Sequence, residues 1–379
     1  MRIVYVTDAL AIWGGLERIL VEKVNELAER YDYEMYLLTA NQGNHPIPFP
    51  LSPKVTCVDL KIQFHKQYHY RGIRRLLKEI ELKRLFIHRL KEHINSIKPD
   101  LIVCVRTEFV RAVSKAKGKI PLVFESHTSR FADRFIGGNW YSQTKVDIMN
   151  YAVHSAQMVV ALTDGDAKDW RGINPHVQVI PNMVHLNPTG RCCNYDSKSV
   201  IFVGRFSAQK DISSLLKIWQ LVLRRHPDWQ LQIYGGYGEE QEKLLPIIEE
   251  MGANIIVHEP TQHIFEGYLE SSIFLLTSRF EPFGLVIPEA MSCGLPVVAF
   301  DCPYGPVDII TDGVDGFLIK ERNVKMYAKK VSLLIDDVKL RQTMGHAGII
   351  STRRFSTEHI MPEWKRLFEQ ITSKRIAPA

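Results

Sequence analysis

The pattern that most constrains this chain is an alternation. Short runs rich in Val, Ile and Leu are followed by longer segments of helical periodicity, and this happens in two successive series. Such repetition builds a parallel sheet flanked by helices. In the first series strands are expected at Ile3–Thr7, Glu34–Leu38, Val55–Val58, Leu101–Val105, Leu122–Glu125, Met158–Ala161 and Val177–Ile180. In the second they are expected at Val200–Val203, Leu231–Tyr234, Ile255–His258, Ile273–Leu276, Val297–Phe300 and Gly316–Ile319. The segment Asn41–Pro53 carries Gly43 and four prolines and reads as a loop. At 379 residues the chain is too long for one ordinary core, so the two series predict two α/β domains. The boundaries read as 1–185 for the first domain, 186–198 for a polar, turn-rich linker and 199–352 for the second domain. Residues 353–379 then form a C-terminal helix, with Trp364 and Phe368 as apolar anchors to pack back on the first domain.

Composition narrows the class. Hydrophobic content of 45% with 24% charged residues fits a globular protein. The start MRIVYVTDAL lacks the features of a signal peptide, and no apolar run approaches bilayer length. The six cysteines form no C-x-x-C pair, so reduced thiols in a cytosolic protein are expected, with no zinc or redox site. The net charge of +6 is concentrated between Lys61 and Lys98, where acids are few. Leu76, Leu77, Ile80, Leu85, Phe86, Leu90 and Ile94 recur there at helical spacing, which predicts a long basic amphipathic helix.

The segment richest in chemistry is Thr277–Phe300, TSRFEPFGLVIPEAMSCGLPVVAF. It reads as strand, loop, helix, turn, strand. Proline fits a helix only in its first turn, so Pro288 places the helix start close to Gly284. A helix start offers free N–H groups and a positive dipole end to phosphate, and Gly284 lets a ligand approach the backbone. Glu281 and Glu289, eight residues apart, fall beside that start. Carboxylates there suit the hydroxyls of a sugar or ribose as donors. Glutamate is common, so a loop acid and a solvated helix acid remain the plain alternative. A second segment, Val203–Leu216, places Gly204, Arg205 and Lys210 in a loop between strand and helix. Arg supplies a fork and Lys a point charge for phosphate oxygens; a solvated loop pair is the alternative.

Weaker signals lie in the first half. Gly14 and Gly15 open a helix after the first strand, a turn that can cradle phosphate. The full G-x-G-x-x-G fingerprint is absent, which disfavours an NAD-dependent oxidoreductase. His127 follows the strand Leu122–Glu125, as a functional histidine or as a capping or core one. Asp164 and Asp166 mimic a D-x-D metal motif, but Thr163 or Asp164 is more simply a helix N-cap. His65, His69, His88 and His93 have no convincing ligand geometry. Gly235, Gly236 and Gly238 are expected to form a tight turn near the ligand.

Together these segments resemble glycosyltransferase family 4 over most of the chain, most strongly from Val200 to Ile319. The family's E-x7-E motif matches Glu281 and Glu289. Its G-R-x…K-G motif matches Gly204, Arg205 and Lys210, with Asp211 in place of the last glycine. Its G-G-x-E turn matches Gly14, Gly15, Leu16 and Glu17. The resemblance implies the α/β GT-B fold, two facing Rossmann-like domains with a cleft between them. It also implies a retaining transfer from a nucleotide diphosphate sugar with no cofactor and no bound metal. It assigns Glu281 to donor sugar hydroxyls and Glu289 to the ribose. The amides around Phe283, Gly284 and Leu285 would face the diphosphate or sugar, Arg205 and Lys210 the leaving diphosphate, and His127 the sugar from the N-terminal side. The loop Phe300–Ile310 resembles loops of members that build bacterial surface polysaccharides, often from UDP-sugars. The expected partners are therefore a nucleotide-sugar donor, UDP-sugar favoured, and a saccharide or lipid-linked saccharide acceptor in polysaccharide or lipopolysaccharide synthesis. The basic segment adds an anionic membrane surface, which makes the expected location cytoplasmic with peripheral contact to the cytoplasmic membrane. No nucleic-acid partner is expected. The competing readings are a sugar-nucleotide epimerase of the same architecture and an inactive nucleotide-sugar-binding scaffold.

Overall fold

A computed structural model of the chain describes residues 1–128, 130–131, 140–252 and 254–373. They form two compact units, Met1–Met183 with Ile360–Ala379, and Val184–His359. The first unit holds strands β1 (Arg2–Thr7), β2 (Glu34–Thr39), β3 (Val55–Asp59), β4 (Leu101–Cys104), β5 (Leu122–Glu125), β6 (Met158–Ala161) and β7 (Val177–Val179). All pair in parallel in the order β3-β2-β1-β4-β5-β6-β7. The second unit holds β8 (Ser199–Val203), β9 (Gln230–Tyr234), β10 (Ile255–His258), β11 (Ile273–Leu276), β12 (Val297–Phe300) and β13 (Gly316–Ile319). Its parallel order is β10-β9-β8-β11-β12-β13. Every strand read from the sequence is present with its ends within one residue, because these short β-branched runs are buried on both faces and have no other way to satisfy their backbone.

Two successive Rossmann-like units thus account for the length of the chain. In each sheet the strand order reverses once, between β1 and β4 and between β8 and β11. The carboxyl ends of the strands flanking such a reversal splay apart and leave a crevice for ligands.

In the first unit one sheet face is covered by α1 (Gly15–Arg30) and by the C-terminal helix Thr357–Ser373. Leu20, Val24 and Leu27 from α1 and Trp364, Leu367 and Phe368 from the C-terminal helix close over Ile3, Tyr5, Val103 and Val123. Each such apolar side chain contributes about 1.5–3 kcal/mol. Pro362 lies near the start of the helix, where a missing N–H is tolerated.

Two readings need correction. The segment 186–198 is no free linker. Cys193 N donates to Cys293 O at 2.7 Å, Asn194 N to Leu269 O at 2.9 Å and Asn187 N to Ser292 Oγ at 3.0 Å, so the segment is tied into the second unit from Val184 onward. Its polar residues find partners on the unit's own backbone, which composition alone does not reveal. The second unit likewise runs on to His359, beyond 352.

The basic segment forms a 26-residue helix, α2 (Gly72–Ile97), preceded by a short 3-10 turn at Phe64–His69. Only Leu82, Phe86, Leu90 and Ile94 are buried, all in its second half. The first two turns are exposed all round, with Ile73 at 76% and Leu77 at 60% exposure. Leu82 follows Ile73 by nine residues, two and a half turns, so the exposed apolar stripe of Ile73, Leu77 and Ile80 lies on the opposite side of α2 from the start of its buried stripe.

Candidate active site

In the second unit the strand-order reversal brings together the two segments that carry the motifs. The carboxyl end of β8 leads into Gly204 and Arg205, and that of β11 into Thr277–Glu281. Lys210 and Glu281, 71 residues apart, meet there with Nζ 2.5 Å from Oε1. Ser278 Oγ donates to the same carboxylate oxygen at 2.6 Å, and Thr277 Oγ1 donates to Lys210 O at 2.9 Å. Glu281 is buried and its backbone is fixed on both sides: its N donates to Pro303 O at 2.7 Å, and Tyr304 N donates to its O at 2.8 Å. Glu281 Oε2 makes no hydrogen bond among the described residues.

Glycines let the backbone of this site close up. Gly235 has φ +141, and a Cβ there would fall 2.2 Å from Gly204 O. A Cβ on Gly238 would fall 2.0 Å from Phe206 O. The turn 235–238 therefore lies directly on the Gly204–Phe206 backbone, as only glycine permits. The helix after the motif loop is short, Val286–Ser292, and it starts two residues after Gly284, whose φ is +89. Pro288 is its third residue, as its missing N–H requires. The amides of Phe283, Gly284 and Leu285 make no backbone hydrogen bond among the described residues. Glu289 is buried, with Tyr268 Oη 3.4 Å from its Oε2. Arg205 is exposed.

The departure at Asp211 has a physical account. Its backbone is left-handed, φ 49 and ψ 54, a conformation that glycine adopts freely. Asp211 caps the following helix, accepting from Ser214 Oγ at 2.8 Å, and accepts from Arg322 Nη2 at 2.5 Å. Arg322 also donates to Thr277 O at 2.8 Å and Ser278 O at 2.9 Å. One guanidinium thus ties the Lys210 loop to the Glu281 loop. Sequence spacing carries no sign of Arg322, Ser278 or Tyr268 as site residues, because each acts across a fold-made contact.

In the first unit, His127 follows β5 and is buried, with Nε2 2.9 Å from Glu125 Oε1. Lys23 of α1 bonds to the same Oε1. Burial alone would raise the Glu125 pKa, but the charges of Lys23 and His127 prevail and bring it down to about 2. Gly14 and Gly15 do open α1, but Gly14 has a local reason: a Cβ there would meet Glu17 Oε2 at 2.1 Å. The carboxylate of Glu17 thus lies at the helix start that the phosphate reading requires. Thr163 is the N-cap of the helix Asp164–Arg171, and Asp166 is a buried structural acid. It accepts from Ser126 Oγ at 2.8 Å and from Arg130 N at 2.9 Å. Among the described residues no group of three or more His, Cys, Asp or Glu is placed to hold a metal ion.

Two Rossmann-like units, the second with a lysine, an arginine and two buried glutamates at its switch point, place the protein in the GT-B class of glycosyltransferases. Comparison with known proteins agrees. The family described as Glycosyltransferase Family 4 matches residues 13–187, and that described as Glycosyl transferases group 1 matches residues 194–350. An uncharacterised glycosyltransferase of Haemophilus influenzae is 26% identical over 93% of this chain and 95% of its own length. The amylovoran biosynthesis glycosyltransferase AmsD of Erwinia amylovora is 26% identical over 96% of this chain and 98% of its own. Among solved structures, Staphylococcus aureus TarM, in complex with fondaparinux, α-GlcNAc-glycerol and UDP, superposes with a TM-score of 0.79. It is 17% identical, covering 97% of this chain and 99% of TarM. The chain belongs to the family 4 glycosyltransferases.

Proposed function

We propose that this glycosyltransferase moves a sugar from a UDP-sugar to a hydroxyl of a lipid-linked saccharide, with retention and without a metal, in the assembly of a bacterial surface polysaccharide. The observation that carries the reading is the Lys210–Glu281 pair at the switch point of the second unit. When the bond to the diphosphate breaks, negative charge grows on the leaving group. Lys210 and the exposed Arg205 are fixed cations on the loop that would meet it. Oε1 of Glu281 is held by Lys210 and Ser278, which leaves Oε2 to accept from a donor sugar hydroxyl. Glu289 is assigned to the ribose, and the amides of Phe283, Gly284 and Leu285 to the diphosphate or sugar. His127 is assigned to the sugar from the first unit. The two cations supply the charge that a metal would otherwise bring, which supports metal independence. TarM binds UDP and AmsD serves amylovoran biosynthesis, and both favour the donor and pathway class proposed here.

The lipid-linked acceptor is supported by α2. Its first two turns expose Ile73, Leu77 and Ile80 together with Arg71, Arg74 and Arg75, a surface suited to an anionic bilayer. No helix among the described residues is long and apolar enough to cross a membrane, so the contact proposed is peripheral.

A thermal-shift panel of UDP, GDP and ADP with their sugars tests the donor. A ligand at 100 times its Kd adds about 2.7 kcal/mol of stability, so UDP should stand out. Product formed from the stabilising donor is then followed by NMR with and without EDTA. Inversion of the anomeric centre, or loss of rate with EDTA restored by Mg²⁺ or Mn²⁺, would overturn the mechanism.

A further inference from the structure

We propose that Lys23 and Glu125 are positioning residues that hold His127 in its Nε2–H tautomer, so that Nδ1 is presented as a hydrogen-bond acceptor for a substrate hydroxyl. The inference rests on the reading of His127 as a substrate-facing group.

Glu125 ends β5, and its side chain is fully buried on the sheet face covered by α1 and the C-terminal helix. The surroundings are apolar or aromatic: Tyr5, Val103, Val123, Leu20 and Trp364. Lys23 projects from α1 into the same place with its side chain 1% exposed, Nζ bonded to Glu125 Oε1 and 4.0 Å above the Trp364 ring. Stability does not account for such a pair. A buried ion pair gives no more, and often less, than apolar side chains of the same volume, and α1 is otherwise apolar on this face. What the pair does provide is a carboxylate that stays ionised in an apolar setting.

That ionisation dictates the state of the histidine. An ionised carboxylate is an acceptor only. The ring nitrogen 2.9 Å from it, Nε2, must therefore carry the proton. In the neutral ring the other nitrogen is then an acceptor. Lys23 shares Oε1 with the imidazole, so the carboxylate has its counter-charge without drawing a second proton onto the ring. A glutamine at 125 would offer both a donor and an acceptor and would leave the tautomer undetermined. Two further buried polar atoms, Tyr5 Oη and Glu125 Oε2, have no partner among the described residues, so nothing there competes for Nδ1.

The experiment is nitrogen-15 NMR of the full chain labelled at histidine, without substrate, at about pH 8, where an ordinary histidine is neutral. The His127 signals are assigned by their loss in His127→Gln, which is needed with 14 histidines present. The expected spectrum shows the Nε2–H pattern for His127 and its loss in Glu125→Gln and Lys23→Met. A wild-type Nδ1–H or averaged pattern overturns the proposal even if no variant folds. An unchanged Nε2–H pattern in a folded Glu125→Gln overturns it as well. Turnover gives the second readout: Glu125→Gln should lower kcat by about tenfold to a hundredfold while UDP affinity is kept. Normal kcat beside an altered tautomer would overturn the positioning role. Failure of the glycosyltransferase reading would look different, as wild-type protein with no turnover of any donor.

Discussion

Asp211→Gly restores the residue that the family usually has at this position, and family resemblance alone suggests a neutral or favourable change. The structure predicts the opposite. Glycine would relieve a left-handed backbone at φ 49, worth about 1 kcal/mol. Loss of the helix cap to Ser214 costs only a few tenths of a kcal/mol when glycine is the replacement. Loss of the charge-assisted bond from Arg322 costs about 1.5–3 kcal/mol, taken at the lower end because the Arg322 side chain is 32% exposed. Arg279, at 3.3 Å and nearly half exposed, adds little. The balance is a destabilisation of about 1 kcal/mol, or roughly 2–4 °C in Tm for a domain of this size. Calorimetry and denaturant unfolding of the single variants and of the double variant with Arg322→Met complete a cycle. Without Arg322 the glycine should be neutral or stabilising, so the coupling should be about 1.5–2 kcal/mol. A single Asp211→Gly variant as stable as wild type, or a coupling near zero, would refute the clamp.

Other expectations follow from the same contacts. Glu281→Gln and Glu289→Gln should each lower turnover by about 2.7–4 kcal/mol of transition-state stabilisation with the fold intact, and a folded double variant with normal turnover would contradict the assignment. Sedimentation with vesicles should recover the protein with anionic but not neutral lipid at low salt, and Ile73→Ser with Leu77→Ser should weaken recovery; equal recovery with both lipids would favour a soluble acceptor. Glu125, facing Lys23, His127 and Tyr5, is depressed from 4.5 to about 2, so its stabilising contribution is complete above pH 4.5 and is lost as pH falls toward 2. Unfolding measured across that window should be less steep in Glu125→Gln, and identical slopes would rule the contribution out.

The strands were legible because buried parallel strands are written as uninterrupted β-branched runs, and the Glu281–Glu289 segment because its proline and glycines mark where the helix must start. The departure at Asp211 was visible too, but its meaning was not, since Arg322 lies 111 residues away and no local spacing links them. The same holds for Lys23 and Glu125, separated by 102 residues. In α2 the periodicity was correct but its direction was hidden: a single amphipathic stripe was expected, whereas the helix carries one stripe on the core and another on the opposite side in its exposed turns. The segment 186–198 read as a linker because its composition is polar, and polar residues bonded to a neighbouring backbone have the same composition.

Each unit keeps one lysine–glutamate pair at the carboxyl edge of its sheet, and the two pairs differ in a way that separates direct from indirect roles. Lys210 and Glu281 have side chains 15% and 5% exposed, and the carboxylate has an oxygen to spare for a ligand. Lys23 and Glu125 are sealed at 1% and 0%, and the group they present is His127. A sealed pair can be replaced by apolar residues of similar volume at no loss, or with a gain of about 1–4 kcal/mol, because both desolvation penalties vanish together. The double variant Lys23→Met with Glu125→Leu should therefore unfold at or above the wild-type denaturant midpoint. Lys23→Met alone should be destabilised by about 3–5 kcal/mol, since it leaves a buried carboxylate without its lysine. If the pair existed for stability, the double variant would be the weaker protein and its turnover would be unchanged. If it exists to hold His127, the double variant is stable and slow, and that combination is what a structural role cannot produce.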